Sequence, residues 1–126
     1  MIFLDANILL EMLLPGRKNK EAVYKWLSNN KKRYVISMLT VHLVLHFGLE
    51  EKMTLTELQS FLYNYPKTSL TPEDYIKALA ILKDDDHEDA LQLATAERVD
   101  CTEIVTLDKK FISNYQHRIN FVNPVT

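Results

Sequence analysis

Residues 1–13 read MIFLDANILLEML, two apolar runs separated by a short polar break at Asp5 and Asn7. The first run is short and β-prone, and the second is long enough to begin a helix. Aspartate is poorly suited to a buried strand or a buried helix, so a carboxylate at this junction needs a specific role. The stretch predicts a buried strand that ends at Asp5 and a helix that follows it directly.

Four further β-prone runs follow, separated by helical segments: YVIS at 34–37, TSL at 68–70, EIVT at 103–106 and INFV at 119–122. Strands that alternate with helices indicate a mainly parallel sheet covered on both faces. One helix is predicted to start at Thr71 and Pro72. It should turn one apolar face to the core, at Tyr75, Ala78, Leu79 and Leu82.

Composition narrows the class of protein. The chain has 126 residues, 47% of them hydrophobic, and no linker-like segment, so residues 1–126 are predicted to form one domain. With a single cysteine, no secretion signal and no apolar run of membrane-spanning length, we expect a soluble protein of the reducing cytoplasm. The net charge of −2 argues against coating nucleic acid through bulk electrostatics.

Two local basic clusters lie in segments that look exposed. One consists of Arg17, Lys18 and Lys20, and the other spans residues 31–33. Both are typical of solvated helix ends, with contact to nucleic acid as the alternative.

Three aspartates far apart in sequence are placed to converge. Ligands of open parallel sheets bind beyond the carboxyl ends of the strands. Asp5 follows the first strand, Asp108 follows the fourth, and Asp89 lies in the first turn of an alanine-rich helix. Each acid, together with Asp86, could instead simply cap a helix. The repetition at one sheet edge favours a common site.

Carboxylates within about 4–6 Å of each other repel and raise each other's pKa unless a cation lies between them. A site of oxygen ligands suits Mg²⁺ or Mn²⁺, which can activate a water and offset charge on a phosphodiester. Asn7 and Thr106 are neutral groups placed to orient a carboxylate, a water or a phosphate. The pattern therefore predicts a divalent metal site at Asp5, Asp89 and Asp108, with Asp86 as an outer acid.

The stretches FLDANILLEML (3–13), DHEDALQLATAERVD (86–100) and EIVTLDKKF (103–111) resemble the PIN domain family, especially the small VapC-like toxins of bacterial toxin–antitoxin pairs. The resemblance covers nearly the whole chain. It implies a three-layer α/β/α sandwich with a mainly parallel, roughly five-stranded sheet. It also implies a metal-dependent endoribonuclease that forms a homodimer, acts on RNA and is blocked by an antitoxin.

One family feature is absent. PIN domains usually carry a further acid on the helix after the second strand, whereas residues 41–46 contain no carboxylate. His42 and His46 lie there, four residues apart on one helix face, and His42 is the better placed substitute. A histidine ligand would favour softer ions such as Mn²⁺ or Zn²⁺. The favoured interpretation is that both histidines are partly buried packing residues, which leaves a site of three aspartates.

The missing acid keeps a second function open, a degenerate PIN scaffold that binds protein or RNA without cleaving it. A third function, phosphoryl transfer through an aspartyl-phosphate, is disfavoured because the residue two positions after Asp5 is Asn7 rather than an acid.

Overall fold

The computed structural model describes residues 1–125, which contain five strands and seven helices. In chain order they are β1 (Ile2–Leu4), α1 (Ala6–Leu13), α2 (Lys20–Asn29), β2 (Tyr34–Ser37), α3 (Met38–Glu50), α4 (Leu55–Leu62), β3 (Lys67–Thr68), α5 (Pro72–Ile81), α6 (His87–Arg98), β4 (Glu103–Val105), α7 (Lys109–Tyr115) and β5 (Asn120–Val122). Thr126, the last residue of the predicted domain, lies outside the described residues.

The five strands form one parallel sheet in the order β3-β2-β1-β4-β5. This confirms the predicted α/β class and the parallel sheet. Four strands overlap the predicted runs closely, while β3 starts one residue earlier than predicted and ends at Thr68. The sheet order places β1 in the centre, which explains why its residues are fully apolar and buried.

Alternate residues of the strands face two separate helical layers. Ile2 and Leu4 pack in a core with α1 to α4, whereas Phe3 packs in a second core with α6 and α7. Because successive side chains of a strand point to opposite faces, this pattern sets three layers, α/β/α. The predicted sandwich is confirmed.

The close approach of α5 to α6 depends on small side chains. Ala78 of α5 packs against Ala90 and Ala94 of α6, and all three are buried. The buried Asp74 Oδ1 accepts a hydrogen bond from Arg98 Nε at 2.8 Å, which fixes the same pair of helices. This packing holds α6, and with it Asp89, against the sheet.

The apolar face predicted for α5 is only partly buried. Ala78 is buried, but Tyr75 and Leu79 are 57% and 47% exposed. The sequence pattern identified the amphipathic helix correctly but overestimated how much of its apolar face is covered, because α5 packs on α6 through Ala78 and polar contacts of Asp74 and Lys77 rather than through Tyr75 and Leu79. Ile76 beside them is 65% exposed, so α5 presents an uncovered apolar face of Tyr75, Ile76 and Leu79.

None of the helices within residues 1–125 is long and apolar enough to cross a bilayer.

Candidate metal centre

Three of the predicted site acids are N-caps at the carboxyl edge of the sheet. Asp5 Oδ1 accepts a hydrogen bond from Ala6 N at 2.8 Å at the start of α1. Asp86 Oδ1 accepts one from Asp89 N at 3.1 Å at the start of α6. Asp108 Oδ1 accepts from two backbone N–H groups at the start of α7. Each of these aspartates can therefore both cap a helix and belong to a common site, because capping uses one carboxylate oxygen and fixes the orientation of the carboxylate.

The acids share one open cavity of about 320 Å³. Its charged residues are Asp5, Asp86, Glu88, Asp89 and Asp108, and its other lining residues are Ala6, Asn7, Leu10, Leu43, Phe47 and Gln92. Neither a lysine nor an arginine lines it, so nothing in its wall balances the carboxylates.

The carboxylates of Asp86, Asp89 and Asp108 come closest together, with one oxygen of each lying within 4.8 Å of the others. Asp86 and Asp108 use Oδ1 for capping, so the described capping bonds leave Oδ2 available in each. Oxygen-only donors at this spacing fit a hard divalent cation such as Mg²⁺ or Mn²⁺. The donor set therefore suits the predicted class of metal, with Asp86 closer to its centre than the sequence predicted.

Two carboxyls that line the cavity, those of Asp5 and Asp89, have raised pKa values. Burial raises the pKa of Asp89 to about 8, with further contributions from the negative charges of Asp5, Asp86 and Asp108. Burial likewise raises the pKa of Asp5 to about 6, although hydrogen bonds from Thr106, Ala6 and Gln92 oppose the shift. Raised carboxyl pKa values cluster at functional sites of proteins, and a bound cation would lower them.

Asp5 is the most deeply held acid of the cavity. Its Oδ2 accepts a hydrogen bond from Thr106 Oγ1 at 2.8 Å and a longer one from Asn7 Nδ2 at 3.3 Å. Asn7 also accepts a hydrogen bond at Oδ1 from Leu107 N at 3.1 Å, which ties α1 to the segment that carries Asp108. Asn7 and Thr106 thus contact the carboxylate that they were predicted to orient.

The buried amide of Gln92, which the sequence analysis did not predict, contacts three elements beside the cavity. Gln92 donates from Nε2 to Asp5 Oδ1 at 3.3 Å and to Thr40 Oγ1 at 2.7 Å, and its Oε1 accepts from Ser37 Oγ at 2.5 Å. Its spacing from Asp89 offered a signal, because residues three apart share a helix face and Gln92 is polar within an apolar run. Glu88 at the rim of the cavity was missed as well.

The structure does not bring His42 to the cluster. The residues of α3 that line the cavity are Leu43 and Phe47, one turn apart. His42 and His46 are exposed and stack on each other with ring centroids 6.1 Å apart, so the predicted partial burial of both is wrong. The reason is helical geometry, since adjacent residues differ by about 100° around the axis and the sequence does not define that rotation to one residue.

The parallel sheet and the carboxylates at its carboxyl edge define the class of α/β protein to which this chain belongs. Comparison with known proteins identifies the family. The family model of the PIN domain matches residues 2–116. The chain belongs to the PIN domain family, as its motifs indicated. No curated protein sequence matches the chain.

Several solved structures share the fold. A toxin–antitoxin complex from Klebsiella pneumoniae aligns with a TM-score of 0.77 at 19% identity, covering 98% of each chain. FitAcB from Neisseria gonorrhoeae aligns with a TM-score of 0.77 at 21% identity, covering 99% of each chain. VapC20 of Mycobacterium tuberculosis, a toxin that cleaves the sarcin-ricin loop, aligns with a TM-score of 0.76 at 11% identity, covering 90% of this chain and 94% of its own. At these identities the likeness concerns the fold.

Proposed function

We propose that this PIN domain is a metal-dependent endoribonuclease of the toxin–antitoxin type. The observation that carries the proposal is the convergence of carboxylate oxygens from Asp86, Asp89 and Asp108 within 4.8 Å in an open cavity. The VapC20 neighbour, described as a toxin that cleaves an RNA loop, supports RNA as the substrate class.

Asp89 and Asp108 would hold Mg²⁺ or Mn²⁺ together with Asp5, the ligand set predicted from the sequence, and Asp86 lies close enough to take part. When bound, such a metal lowers the pKa of a water and offsets the charge that develops on a phosphodiester during in-line attack. For Asp5 to bind it, the two long hydrogen bonds of 3.3 Å from Asn7 and Gln92 are the most easily replaced.

The surrounding residues have separate tasks in this proposal. Thr106 keeps Asp5 oriented through its 2.8 Å hydrogen bond, and Asn7 holds the loop of Asp108 through Leu107 N. Asp86 has Oδ2 outside its capping bond and would accept a hydrogen bond from the water through this oxygen if it does not itself bind the metal. The RNA enters from the open side of the cavity.

An antitoxin protein and a second copy of the chain are the proposed partners, and the cytoplasm is the proposed location. Two of the similar structures are described as a toxin–antitoxin complex and as FitAB bound to a DNA fragment, which supports the toxin–antitoxin assignment. The uncovered apolar face of α5 supports the homodimer, since Tyr75, Ile76 and Leu79 are exposed together on one helix.

One observation favours the alternative, a scaffold that binds protein or RNA without cleavage. The residues that α3 turns towards the cavity, Leu43 and Phe47, are apolar, so the family's usual helix acid has no replacement there. Metal-dependent cleavage of RNA by the purified protein would exclude this alternative.

The test is cleavage of a labelled single-stranded RNA in Mg²⁺, in Mn²⁺ and in EDTA. Asp5→Asn and Asp108→Asn should each reduce the rate at least about a hundredfold, since each removes a charged metal ligand. The matched control is Asp85→Asn, which makes the same change at an exposed residue that does not line the cavity. Unchanged cleavage by both site variants, with circular dichroism showing them folded, would overturn the proposal.

A further inference from the structure

A second cleft, of about 240 Å³, is lined by residues on either side of Asp108 of the acidic cavity. It is lined by Lys18, Asn19, Leu107, Lys109, Asn123 and Val125. Leu107 and Lys109 flank Asp108 of the acidic cavity in sequence, and consecutive Cα atoms are about 3.8 Å apart. The two sites therefore share the short segment 107–109, which Asn7 fixes through Leu107 N.

The charge of this cleft is opposite to that of its neighbour. Among residues 1–125, two lysines line it and no acidic side chain does. Within residues 1–125, neither Lys18 nor Lys109 has an acidic partner within 4.0 Å, whereas the adjacent Lys110 lies 3.9 Å from Asp84. Two ammonium groups without acidic partners, lining one cleft, form a local positive field.

The two asparagines of the cleft add neutral donors. Asn123 Oδ1 accepts a hydrogen bond from Val125 N at 3.0 Å, which leaves its Nδ2 as the group able to contact a ligand. Asn19 occupies the N-cap of α2 but makes no capping hydrogen bond with its side chain. The cleft thus offers two ammonium and two amide donor groups around a space large enough for a small anion.

We propose that this cationic cleft binds a backbone phosphate of the RNA, adjacent to the phosphodiester at the acidic cavity. The inference rests on the proposed function in that RNA is the ligand of both sites. A polyanion approaching five acidic side chains is repelled, and contacts of lysine with phosphate supply the favourable electrostatic energy that offsets this. Such contacts position the strand without reading its sequence.

RNA is favoured over an acidic protein segment by the shared segment 107–109. A ligand that fills both sites must present negative charge to the lysines and also to a cation held by the aspartates, and consecutive phosphates of one strand do both. Carboxylates of an acidic segment can bind the same groups, and RNA is favoured because a phosphodiester is already the ligand proposed for the acidic cavity.

The test is fluorescence anisotropy of a labelled single-stranded RNA bound to the full chain in Ca²⁺, at several salt concentrations. The double variant Lys18→Ala/Lys109→Ala should bind about tenfold more weakly at low salt, and the slope of log K against log salt should become shallower by about 0.7, the value for one phosphate contact on a single strand. The charge-matched control is Lys31→Ala/Lys32→Ala, which removes two lysines just before β2, at the amino edge of the sheet.

Equal affinities and slopes for both double variants and the wild type would overturn the inference, as would equal losses in both. Both lysines of the cleft are exposed, so their removal should leave the fold intact, and circular dichroism checks this. If the wild type fails to cleave RNA but binds it through these two lysines, the proposed nuclease fails and the phosphate site stands. If cleavage is normal and binding does not depend on them, only the phosphate site fails.

Discussion

Gln92 donates a hydrogen bond to Asp5 across 3.3 Å, and this contact links the helix that carries Asp89 to the end of the central strand. The same amide nitrogen contacts Thr40 at 2.7 Å, and the amide oxygen accepts from Ser37. One buried side chain thus holds α1, α3 and α6 at the cavity floor. The contact therefore relates the position of Asp5, at the start of α1, to that of Asp89 on α6.

Replacing this amide should destabilise the protein. Gln92→Leu removes three hydrogen bonds and leaves the hydroxyls of Ser37 and Thr40 short of partners in a buried site. We expect the free energy of unfolding to fall by about 2–3 kcal/mol, measured by urea denaturation. The same substitution at the exposed Gln59 of α4 is the control and should change stability by less than about 0.5 kcal/mol. Equal effects at both positions would contradict the bridging role of Gln92.

A carboxylate introduced at Leu43 should strengthen metal binding. Leu43 lines the cavity with the aspartates, whereas its neighbour His42 does not. Leu43→Glu adds a fourth acidic oxygen donor, and we expect the Kd for Mn²⁺ to fall about tenfold, since ligand charge tunes the affinity for hard cations.

His42→Glu, the matched control, adds the same charge on the exposed face of α3 and should leave the Kd for Mn²⁺ nearly unchanged. A stronger effect from His42→Glu than from Leu43→Glu would show that the helix faces the site differently from the structure.

The metal-free protein should lose stability as the pH rises. The pKa values of Asp5 and Asp89 are about 6 and about 8 in the folded chain, above the ordinary value of 3.8. Between the ordinary value of 3.8 and the raised value of about 8, the folded state binds more protons than the unfolded state. The free energy of unfolding therefore falls as the pH rises through this range. Asp74 and Glu97 have lowered pKa values, and their opposite contribution is confined below about pH 4.5.

Thermal unfolding in EDTA should therefore give a lower Tm at about pH 8 than at about pH 5, and Mn²⁺ should raise the Tm more at the higher pH. Asp89→Asn should flatten this dependence, while Asp85→Asn should keep it. A Tm that rises steadily between the two pH values in the wild type would contradict the raised pKa values of Asp5 and Asp89.

Much of the fold followed from the sequence because local rules agree with the tertiary structure. The strand runs ended where polar residues begin, and Asp5, Asp86 and Asp108 are N-caps as their positions indicated. The convergence of acids at one edge followed from the parallel sheet, whose strand ends meet there.

The remaining errors concern the rotation of α3 about its axis and the burial of the apolar face of α5. Local sequence rules define neither. The sequence indicated His42 as the better placed substitute for the missing acid, with packing as the favoured role of both histidines, but the structure turns Leu43 to the cavity and leaves His42 exposed. Sequence also predicted a buried face on α5, but Tyr75 and Leu79 are exposed because nothing within residues 1–125 covers them. Both depend on how a helix is turned against its neighbours, which only the packed structure determines.

The uncovered face of α5 should mediate self-association. Ile76→Glu places a charge in the centre of the exposed apolar side chains of Tyr75 and Leu79. We expect the wild type to sediment as a dimer and this variant as a monomer in analytical ultracentrifugation, because burying an unpaired charge at an interface is costly. Tyr63→Glu, at a side chain that is 86% exposed beyond the end of α4, is the control and should leave the dimer intact. A dimer that survives Ile76→Glu would place the interface elsewhere.

The central claim is that the cluster of aspartates holds a divalent metal, and direct titration of the protein with Mn²⁺ by isothermal calorimetry tests it. The wild type and Asp85→Asn should bind Mn²⁺ with the same Kd, and Asp89→Asn should bind at least about tenfold more weakly, since it removes one carboxylate of the three within 4.8 Å. Binding to the wild type should also release protons at about pH 7, because the pKa of Asp89 is about 8 in the metal-free chain. Absence of Mn²⁺ binding by the wild type, or equal binding by Asp89→Asn, would contradict the account.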